Sequence, residues 1–316
     1  IKWLRRIIIA GFVFMISVYS ISYIIEAPDL NGGHIIRMYD QNQQLFYQSQ
    51  QQSNDVQLKD VSPYFLKSIV AIEDHRFYEH RGFDPVGILR AIKANISENG
   101  RVEGASTISQ QYARLMFLNN DKTWSRKIQE AFLTVRLETH YNKDTILQGY
   151  INTVYFGHGI YGIQNASLYY FNKQPRDLDL NEASMLAGVI NGPEYYSPFK
   201  DIKAAKQRQK IVLDAMVHEK QITQQQANQA YQSEFKLNPH PSSTIQCAYP
   251  YYRDTVISEL KELGFYKEEY VNQGLNIQTS LNPQIQDQLN QTITEQMKDR
   301  EELEVSSLIL DSQTIL

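Results

Sequence analysis

The chain has 316 residues, enough for one mid-sized domain and a smaller one. Its hydrophobic content of 42% allows a real buried core, and its formal net charge of −4 argues against general nucleic-acid binding, which needs a basic surplus. Cys247 is the only cysteine, so an internal disulfide and a Cys-based zinc cluster are both excluded.

A long uncharged segment lies near the start of the chain. No Asp, Glu, Lys or Arg occurs between Arg6 and Glu26, and Ile7–Ile25 would span about 28 Å as a helix. Lys2 and Arg5 also precede the segment, and basic residues tend to stay in the cytoplasm. A cleavable signal peptide is the alternative, but no small-x-small cleavage site follows. We therefore expect a single-pass anchor in the cytoplasmic membrane, with the N-terminus inside and the rest of the chain outside.

A polar turn separates two short apolar runs after this segment. Asp40–Gln43 lies between His34–Tyr39 and Leu45–Gln48, a pattern that predicts a β-hairpin. From Ser62 to about Tyr231 the apolar spacing is helical, with short loops between the helices. Most of the chain is therefore expected to form one helical domain.

A Pro/Ser-rich stretch at Asn238–Thr244 marks the end of this domain. Beyond it the sequence predicts a helix around Tyr251–Leu263, a strand at Leu275–Ser280, a helix at Pro283–Met297 and a buried strand at Val305–Leu310. We divide the chain into five segments: a transmembrane anchor (1–27), an extended or hairpin connector (28–60), a helical domain (61–232), a small α+β linker region (233–300) and a further domain that only begins (301–316).

The first helix of the helical domain places a carboxylate on an apolar face. Ser62 as N-cap and Pro63 in the first turn begin the helix. One face then carries Leu66, Val70, Glu73 and Phe77. A poorly solvated Glu73 would have a raised pKa and act as a better base near neutral pH. The alternative is a glutamate at the edge of the face that reaches water.

A second helix, about Trp124 to Tyr141, carries another carboxylate among apolar residues. One face has Ile128, Phe132 and Val135, and another has Arg126, Glu130, Leu133 and Leu137. A helix that is apolar on two faces is largely enclosed, which makes Glu130 a second candidate functional residue. The alternative is an i, i+4 ion pair between Arg126 and Glu130.

A candidate phosphate site lies between these two helices. In Gly104–Gln111, Thr107 and Gln110 have the spacing of a capping box, so a helix begins after a glycine turn. Free N–H groups at such a terminus favour an anion. Four cations follow: Arg114, Lys122, Arg126 and Lys127. Together with the two carboxylates, they indicate a glycosyl diphosphate donor.

These residues resemble a known family, the peptidoglycan glycosyltransferases of class A penicillin-binding proteins and their monofunctional relatives. The matching motifs, in family order over about residues 55 to 230, are Glu73–Gly82, Gly104–Gln111, Arg126–Glu130, Lys143–Asn152, Tyr155–Gly157, Leu180–Ala187 and Pro193–Phe199. Ser109 stands where the family usually has Thr, and Gln148 where it has Glu, so we expect position 148 to be structural. Arg114 and Lys122 exchange the family's usual Lys and Arg.

The resemblance implies a mainly α, lysozyme-like glycosyltransferase domain with a mobile lobe near the membrane. It implies polymerisation of lipid II, the undecaprenyl-diphosphate-linked disaccharide-pentapeptide, into β-1,4 glycan with inversion at the donor MurNAc C1. Glu73 would be the general base, and Glu130 would position cations or substrate. The implied substrate-binding residues are Asp74, Ser106, Thr107, Gln110, Gln111, Arg114, Lys122, Arg126, Lys127 and Asn152.

The same resemblance suggests partners and a cofactor. A divalent cation, Mg²⁺ or Mn²⁺, would assist the diphosphate, with ligands that the sequence does not identify. The partners would be lipid II, the growing glycan strand, the membrane and other cell-wall synthesis proteins, but no nucleic acid. Moenomycin would occupy the donor site. Residues 301–316 would begin a transpeptidase domain that is not intact in this chain.

Two other functions are considered. A lytic muramidase uses a similar fold and one glutamate but needs no diphosphate site, so the basic residues argue against it. A non-catalytic scaffold that binds lipid II would not need Glu73 and Glu130.

Overall fold

A computed structural model of the chain describes residues 17–30, 36–48, 55–88, 106–118, 123–158, 160–239, 249–265 and 275–297, together with positions 3 and 6. It separates into two compact units. The larger unit comprises residues 1–32 and 50–245, and the smaller one comprises residues 33–49 and 246–316. Predicted features that fall outside the described residues include Lys122, the Val305–Leu310 strand and residues 301–316.

The larger unit is helical, which confirms the prediction of a mainly α fold. Its helices are α1 (Pro63–Glu73), α2 (Ile108–Phe117), α3 (Trp124–His140), α4 (Lys143–Thr153), α5 (Ile163–Phe171), α6 (Leu180–Val189), α7 (Pro193–Tyr196), α8 (Ile202–His218) and α9 (Gln224–Gln232). Two 3₁₀ turns lie at Leu58–Asp60 and Pro175–Asp177. The core lies where α6 packs against α1 and α8, and where α2 packs against α3 and α4.

Helix α1 starts where the sequence predicts but ends sooner. Ser62 occupies the N-cap position, yet its hydroxyl donates to the Leu178 carbonyl at 2.7 Å instead of capping the helix. The helix ends at Glu73, because Asp74 adopts a non-helical conformation with φ −163° and ψ 75°. The predicted continuation of the apolar face to Phe77 is therefore wrong. Glu73 is instead the last residue of the helix, next to the loop that follows.

Helix α3 is only partly enclosed, which corrects the prediction of two buried faces. Trp124 and Ile128, in its first two turns, are 87% and 69% exposed. Farther along, Val135 and Leu137 are buried, and so is Glu130. The middle of the helix therefore meets the core, whereas its start does not.

The smaller unit holds a three-stranded sheet of order β2-β1-β3. Strand β1 (Ile36–Tyr39) pairs antiparallel with β2 (Leu45–Gln48), which confirms the predicted hairpin, and parallel with β3 (Leu275–Gln278). Helices α10 (Pro250–Glu262) and α11 (Pro283–Met297) belong to the same unit. The hairpin and the strand at Leu275–Gln278 thus form one sheet, which joins residues of the expected connector (28–60) with residues of the expected linker (233–300).

Residues 17–24 precede the core of the larger unit and are hydrogen-bonded to it. Residues 17–24 are helical. The hydroxyl of Tyr19 donates to the Arg81 carbonyl at 2.8 Å, and the ring Nε2 of His140 donates to the Ser22 carbonyl at 2.9 Å. These contacts join residues 17–24 to α3 and to the loop after Glu73.

Within the described ranges, no helix combines the length and the apolar character needed to cross a bilayer.

Gly149 on α4 is a close-packing point. A Cβ built there would overlap the ring Cζ and the hydroxyl of the buried Tyr112 on α2. Gly149→Ala should therefore destabilise the larger unit by about 1–3 kcal/mol, because overpacking forces neighbouring groups apart. Urea unfolding of the parent, Gly149→Ala, Tyr112→Leu and the Gly149→Ala/Tyr112→Leu double variant measures this cost. If the clash is the cause, the double variant loses less stability than the two single losses add up to.

Candidate active site

Glu73 lies at the end of α1, where its carboxylate is partly shielded from water. The side-chain amide Nε2 of Gln111, on α2, donates to Glu73 Oε2 at 2.8 Å. Burial raises the pKa of the Glu73 carboxyl above its ordinary value, and the bond from Gln111 opposes that rise. The structure therefore presents a carboxylate with a raised pKa and one oxygen already hydrogen-bonded.

Two guanidinium groups act electrostatically on this carboxylate. Arg208 on α8 and Arg114 on α2 both lower the pKa of Glu73, and the neighbouring Asp74 raises it. Among the described residues, neither arginine makes a hydrogen bond or ion pair, and the Nε of Arg208 is buried without a partner. Arg208 was not identified from the sequence, because basic residues on a helix are usually solvated. Its environment becomes visible only when α8 packs beside α1.

Asp74 connects the loop after Glu73 to the start of α2. Its carboxylate accepts from His80 Nε2 at 2.9 and 3.0 Å, and its Oδ2 accepts from the Ile108 backbone N–H at 3.1 Å. Asp74 is 7% exposed. The structure thus places this predicted substrate-binding residue in contacts that hold α2 against the end of α1; the substrate-binding role stays a prediction.

The start of α2 forms the predicted capping box. The Thr107 hydroxyl oxygen accepts from the Gln110 N–H at 3.2 Å, and Gln110 Oε1 accepts from the Thr107 N–H at 3.1 Å. The Thr107 hydroxyl also donates to the Gly82 carbonyl at 2.7 Å. Asp74 accepts from the Ile108 N–H, and the Thr107 hydroxyl accepts from the Gln110 N–H. The expectation of free N–H groups at this terminus therefore does not hold for positions 108 and 110. An anion here would depend mainly on side-chain cations.

Glu130 is the centre of a cluster of charges. Its side chain is 1% exposed, and its two carboxylate oxygens accept from Arg126 Nη1 at 2.5 Å and from Lys127 Nζ. Lys127 Nζ also lies 3.4 Å from the Ser106 hydroxyl. The ion pair between Arg126 and Glu130 that the sequence allows is therefore present. Glu130 pairs with two of the predicted diphosphate-binding cations, and one of them, Lys127, also lies beside Ser106.

A further buried carboxylate, Glu138 on α3, was not identified from the sequence. It accepts from the Ser109 hydroxyl and from Lys143 Nζ, the latter at 2.6 Å. Lys143 Nζ also lies 4.4 Å from the centroid of the Phe77 ring. Glu138 therefore joins the first turns of α2 and α4. Only the packing of three helices could reveal this contact.

Asn152 and Gln148, one turn apart on α4, hold the chain before α1. The Asn152 amide accepts from the Val56 N–H at 3.1 Å and donates to the Val56 carbonyl at 3.0 Å. Gln148 Oε1 accepts from the Leu58 N–H at 3.3 Å. Both polar atoms of Asn152 are thus engaged with backbone. The structure gives Asn152 and Gln148 the same kind of contact. A structural contact is what was expected of Gln148, whereas the substrate-binding role of Asn152 stays a prediction.

No group of three or more His, Cys, Asp or Glu side chains in the described part of the chain could hold a metal ion. The expected Mg²⁺ or Mn²⁺ therefore has no protein ligands assigned among these residues and stays a prediction. Lys122, the fourth predicted cation, lies outside the described residues.

The raised pKa of Glu73 should make the stability of the fold depend on pH. A carboxyl that is harder to ionise in the folded state lowers stability above its folded pKa and has no effect well below its ordinary pKa of 4.5, where both states are protonated. Glu73→Gln should therefore melt at a higher temperature than the parent at pH 7, and the difference should vanish as pH falls well below 4.5. Calorimetry across that range measures it. A variant less stable than the parent at pH 7 would contradict the shift.

These residues lie in a region that matches a known family. The sequence profile of the Transglycosylase family matches residues 40–217, which include every site residue described above. The chain belongs to this family.

The chain is similar to the N-terminal part of longer penicillin-binding proteins. Penicillin-binding protein 2D of Bacillus subtilis (strain 168) is 41% identical over 260 residues, covering 82% of this chain and 38% of that protein. Penicillin-binding protein 1A of Escherichia coli (strain K12) is 36% identical over 244 residues, covering 77% of this chain and 28% of that protein. The chain thus carries the glycosyltransferase domain of a class A penicillin-binding protein and spans less than two fifths of these relatives' length.

A crystal structure of penicillin-binding protein 1A from Haemophilus influenzae aligns with 92% of this chain and 34% of its own length, at 17% identity and a TM-score of 0.37.

Proposed function

We propose that this chain polymerises lipid II into β-1,4 glycan strands and releases undecaprenyl diphosphate. One observation carries the proposal: the partly shielded carboxylate of Glu73, at the end of α1, lies near two arginines that have no ion-pair partner in the part of the chain that the structure describes. A base requires a carboxylate whose pKa is raised but which still ionises, and burial opposed by nearby cations produces that balance.

In the proposed reaction, Glu73 removes the proton from the acceptor GlcNAc 4-hydroxyl as that oxygen attacks the donor MurNAc C1. The bond from C1 to the diphosphate oxygen breaks on the opposite face, so the configuration inverts. Its electron pair leaves with the undecaprenyl diphosphate. The cations Arg114, Lys122, Arg126 and Lys127 would stabilise that leaving group electrostatically.

The cations near Glu73 and those around Glu130 differ in how far they are already paired. Arg114 lies near Glu73 and has no protein partner among the described residues, so its guanidinium is available to a diphosphate. Arg126 and Lys127 are already paired with Glu130, which holds them in place. Its negative charge also offsets part of their positive charge, so they attract an anion less strongly. A divalent cation brought with the substrate's diphosphate would supply additional positive charge there.

We propose a lysozyme-like arrangement of the catalytic helices and a single membrane-spanning anchor before residue 28, with the catalytic unit on the outer face of the cytoplasmic membrane. The support is the basic N-terminal flank and the uncharged segment between Arg6 and Glu26. An anchor suits an enzyme whose two substrates both carry lipid tails. Moenomycin would compete for the donor site.

The test is glycan formation from purified lipid II in detergent, with Mg²⁺ or Mn²⁺ and with or without moenomycin. Polymer that moenomycin prevents supports the proposal. Binding of lipid II with no polymer from folded protein would favour the scaffold.

A second experiment separates the glycosyltransferase from a lytic muramidase. Arg114→Ala should lower turnover of lipid II but should have no specific effect on cleavage of finished glycan. Cleavage of finished glycan by the parent, without polymer from lipid II, would favour the muramidase.

A further inference from the structure

Tyr150 is a buried residue of α4 with no role in the reaction described so far. Its side chain is fully buried, and its hydroxyl donates to Gln111 Oε1 at 3.1 Å. The other end of the same amide, Nε2, donates to Glu73 Oε2 at 2.8 Å. A chain of two hydrogen bonds therefore runs from α4 through α2 to the end of α1.

The direction of these bonds depends on the tyrosine hydroxyl. A glutamine amide has a donor end and an acceptor end, and turning it over exchanges them. An ionised Glu73 can only accept, so it requires the donor end of Gln111. Because the Tyr150 hydroxyl donates to Oε1, it favours this orientation of the amide. Burial and the negative charge of Glu73 raise the pKa of Tyr150, which keeps the phenol protonated as a donor.

We propose that Tyr150 is a positioning residue for the reaction: it fixes the Gln111 amide so that Glu73 Oε2 is occupied and Glu73 Oε1 is left to receive the acceptor proton. This inference rests on the proposed function and adds to it a reason why one carboxylate oxygen is the basic one. Gln111, predicted to line the donor site, acts in this arrangement as the partner of the base. Tyr150 touches neither substrate nor the reacting atoms and acts only through Gln111.

The proposal distinguishes the two forms of Glu73. When Glu73 is ionised, the amide donor stabilises it. After Glu73 takes the acceptor proton on Oε1, the bond from Gln111 to Oε2 weakens but needs no rearrangement. Without the Tyr150 hydroxyl, the amide can turn over, and its oxygen would then face the carboxylate. Loss of that hydroxyl therefore disfavours the ionised form and slows the step that uses it.

The experiment compares the parent with Tyr150→Phe, and uses Tyr170→Phe as the matched control. Tyr170 is also fully buried, and its hydroxyl donates to the Phe156 carbonyl at 2.8 Å, so the control removes an equivalent buried hydroxyl. Titration of the Glu73 carboxyl is followed by ¹³C NMR on substrate-free protein, and kcat and KM for lipid II are measured across pH.

Tyr150→Phe should move the Glu73 titration and the acidic limb of the kcat profile to higher pH. It should also lower kcat at pH 7 by about three- to tenfold, the effect of losing one supporting hydrogen bond, with KM little changed. Tyr170→Phe should move neither. A fluorotyrosine at position 150 keeps the side-chain shape and donates more strongly, so it should move the titration the opposite way. It also provides the test if Tyr150→Phe does not fold.

Three outcomes would overturn the proposal: an unmoved Glu73 titration with both replacements of Tyr150, a shift equally large in Tyr170→Phe, or a full Tyr150→Phe shift in protein that already carries Gln111→Leu. The last outcome would show that the effect does not pass through Gln111. Since the titration needs no substrate, its result is independent of whether the parent makes polymer. If the Tyr150 replacements shift the Glu73 titration but the parent makes no polymer, the proposed function is wrong, whereas the contact from Tyr150 through Gln111 to Glu73 stands.

Discussion

Replacing Glu73 by glutamine should slow glycan polymerisation by roughly 10²- to 10⁴-fold while the chain stays folded. The amide keeps the size of the side chain and can still bond to Gln111, but it cannot take the acceptor proton. Because the carboxylate is partly desolvated in the folded state, its replacement should not weaken the fold at pH 7. Lower activity together with unchanged or higher stability is the combined result expected of a base.

Initial rates with saturating lipid II measure this effect. The matched control is Glu182→Gln on α6, which removes a buried carboxylate that pairs with Lys173 at 2.7 Å and closes the capping box with Asp179. Glu182 lies within the Leu180–Ala187 motif but is not one of the predicted site residues. Its rate should stay within a few-fold of the parent. A Glu73→Gln rate within tenfold of the parent would leave polymerisation intact but assign the base to another group.

Glu130→Ala should destabilise the larger unit by about 3 kcal/mol, because removing one member of a buried ion-pair cluster leaves the others without compensation. Glu130 is 1% exposed and accepts from two cations, of which Arg126 is the more enclosed. Lys127 reaches water more easily, which places the cost at the lower end of the usual range. Urea unfolding measures it. The same variant should also raise KM for lipid II, since both cations lose the group that orients them.

A surface pair provides the control for Glu130. Lys210 and Asp214 on α8 form an i, i+4 pair like Arg126 and Glu130, but both side chains are more than half exposed. Asp214→Ala should leave stability nearly unchanged, because water and salt screen an exposed pair. Equal losses in Glu130→Ala and Asp214→Ala would mean that burial of Glu130 contributes nothing. Glu130→Gln, which keeps the volume and one acceptor, should fall between the parent and Glu130→Ala.

Local features of the site could be predicted from the sequence. The capping box at Thr107 and the start of α3 follow from residue types a few positions apart, and the structure has both. Local spacing failed at the end of α1, where the predicted face ran on to Phe77. The helix stops at Glu73 because Asp74 bonds to His80 and to the start of α2, partners that the spacing within one helix cannot reveal.

Contacts between helices explain the remaining differences. Arg208, Tyr150 and Glu138 look like ordinary helix residues in the sequence, and their partners lie 29 or more positions away or on other helices. The environment of Glu73 combines groups from α1, α2 and α8, which only tertiary packing brings together. A resemblance of motifs could point to Glu73 as the base, but not to the groups that set its pKa.

The sheet of the smaller unit affects the order in which the chain can fold during synthesis. Strand β1 lies between β2 and β3, yet β3 follows β2 by more than two hundred residues, which include helices α1 to α9 of the larger unit. At typical translation rates, β3 emerges roughly 10 to 45 seconds after the hairpin. During that interval one edge of β1 is unpaired, which is the kind of edge that recruits other strands. The larger unit can fold before β3 is available to pair with the hairpin. A chain that terminates within residues 246–274 would therefore have a folded larger unit and a hairpin whose β1 edge is unpaired, and it should tend to self-associate.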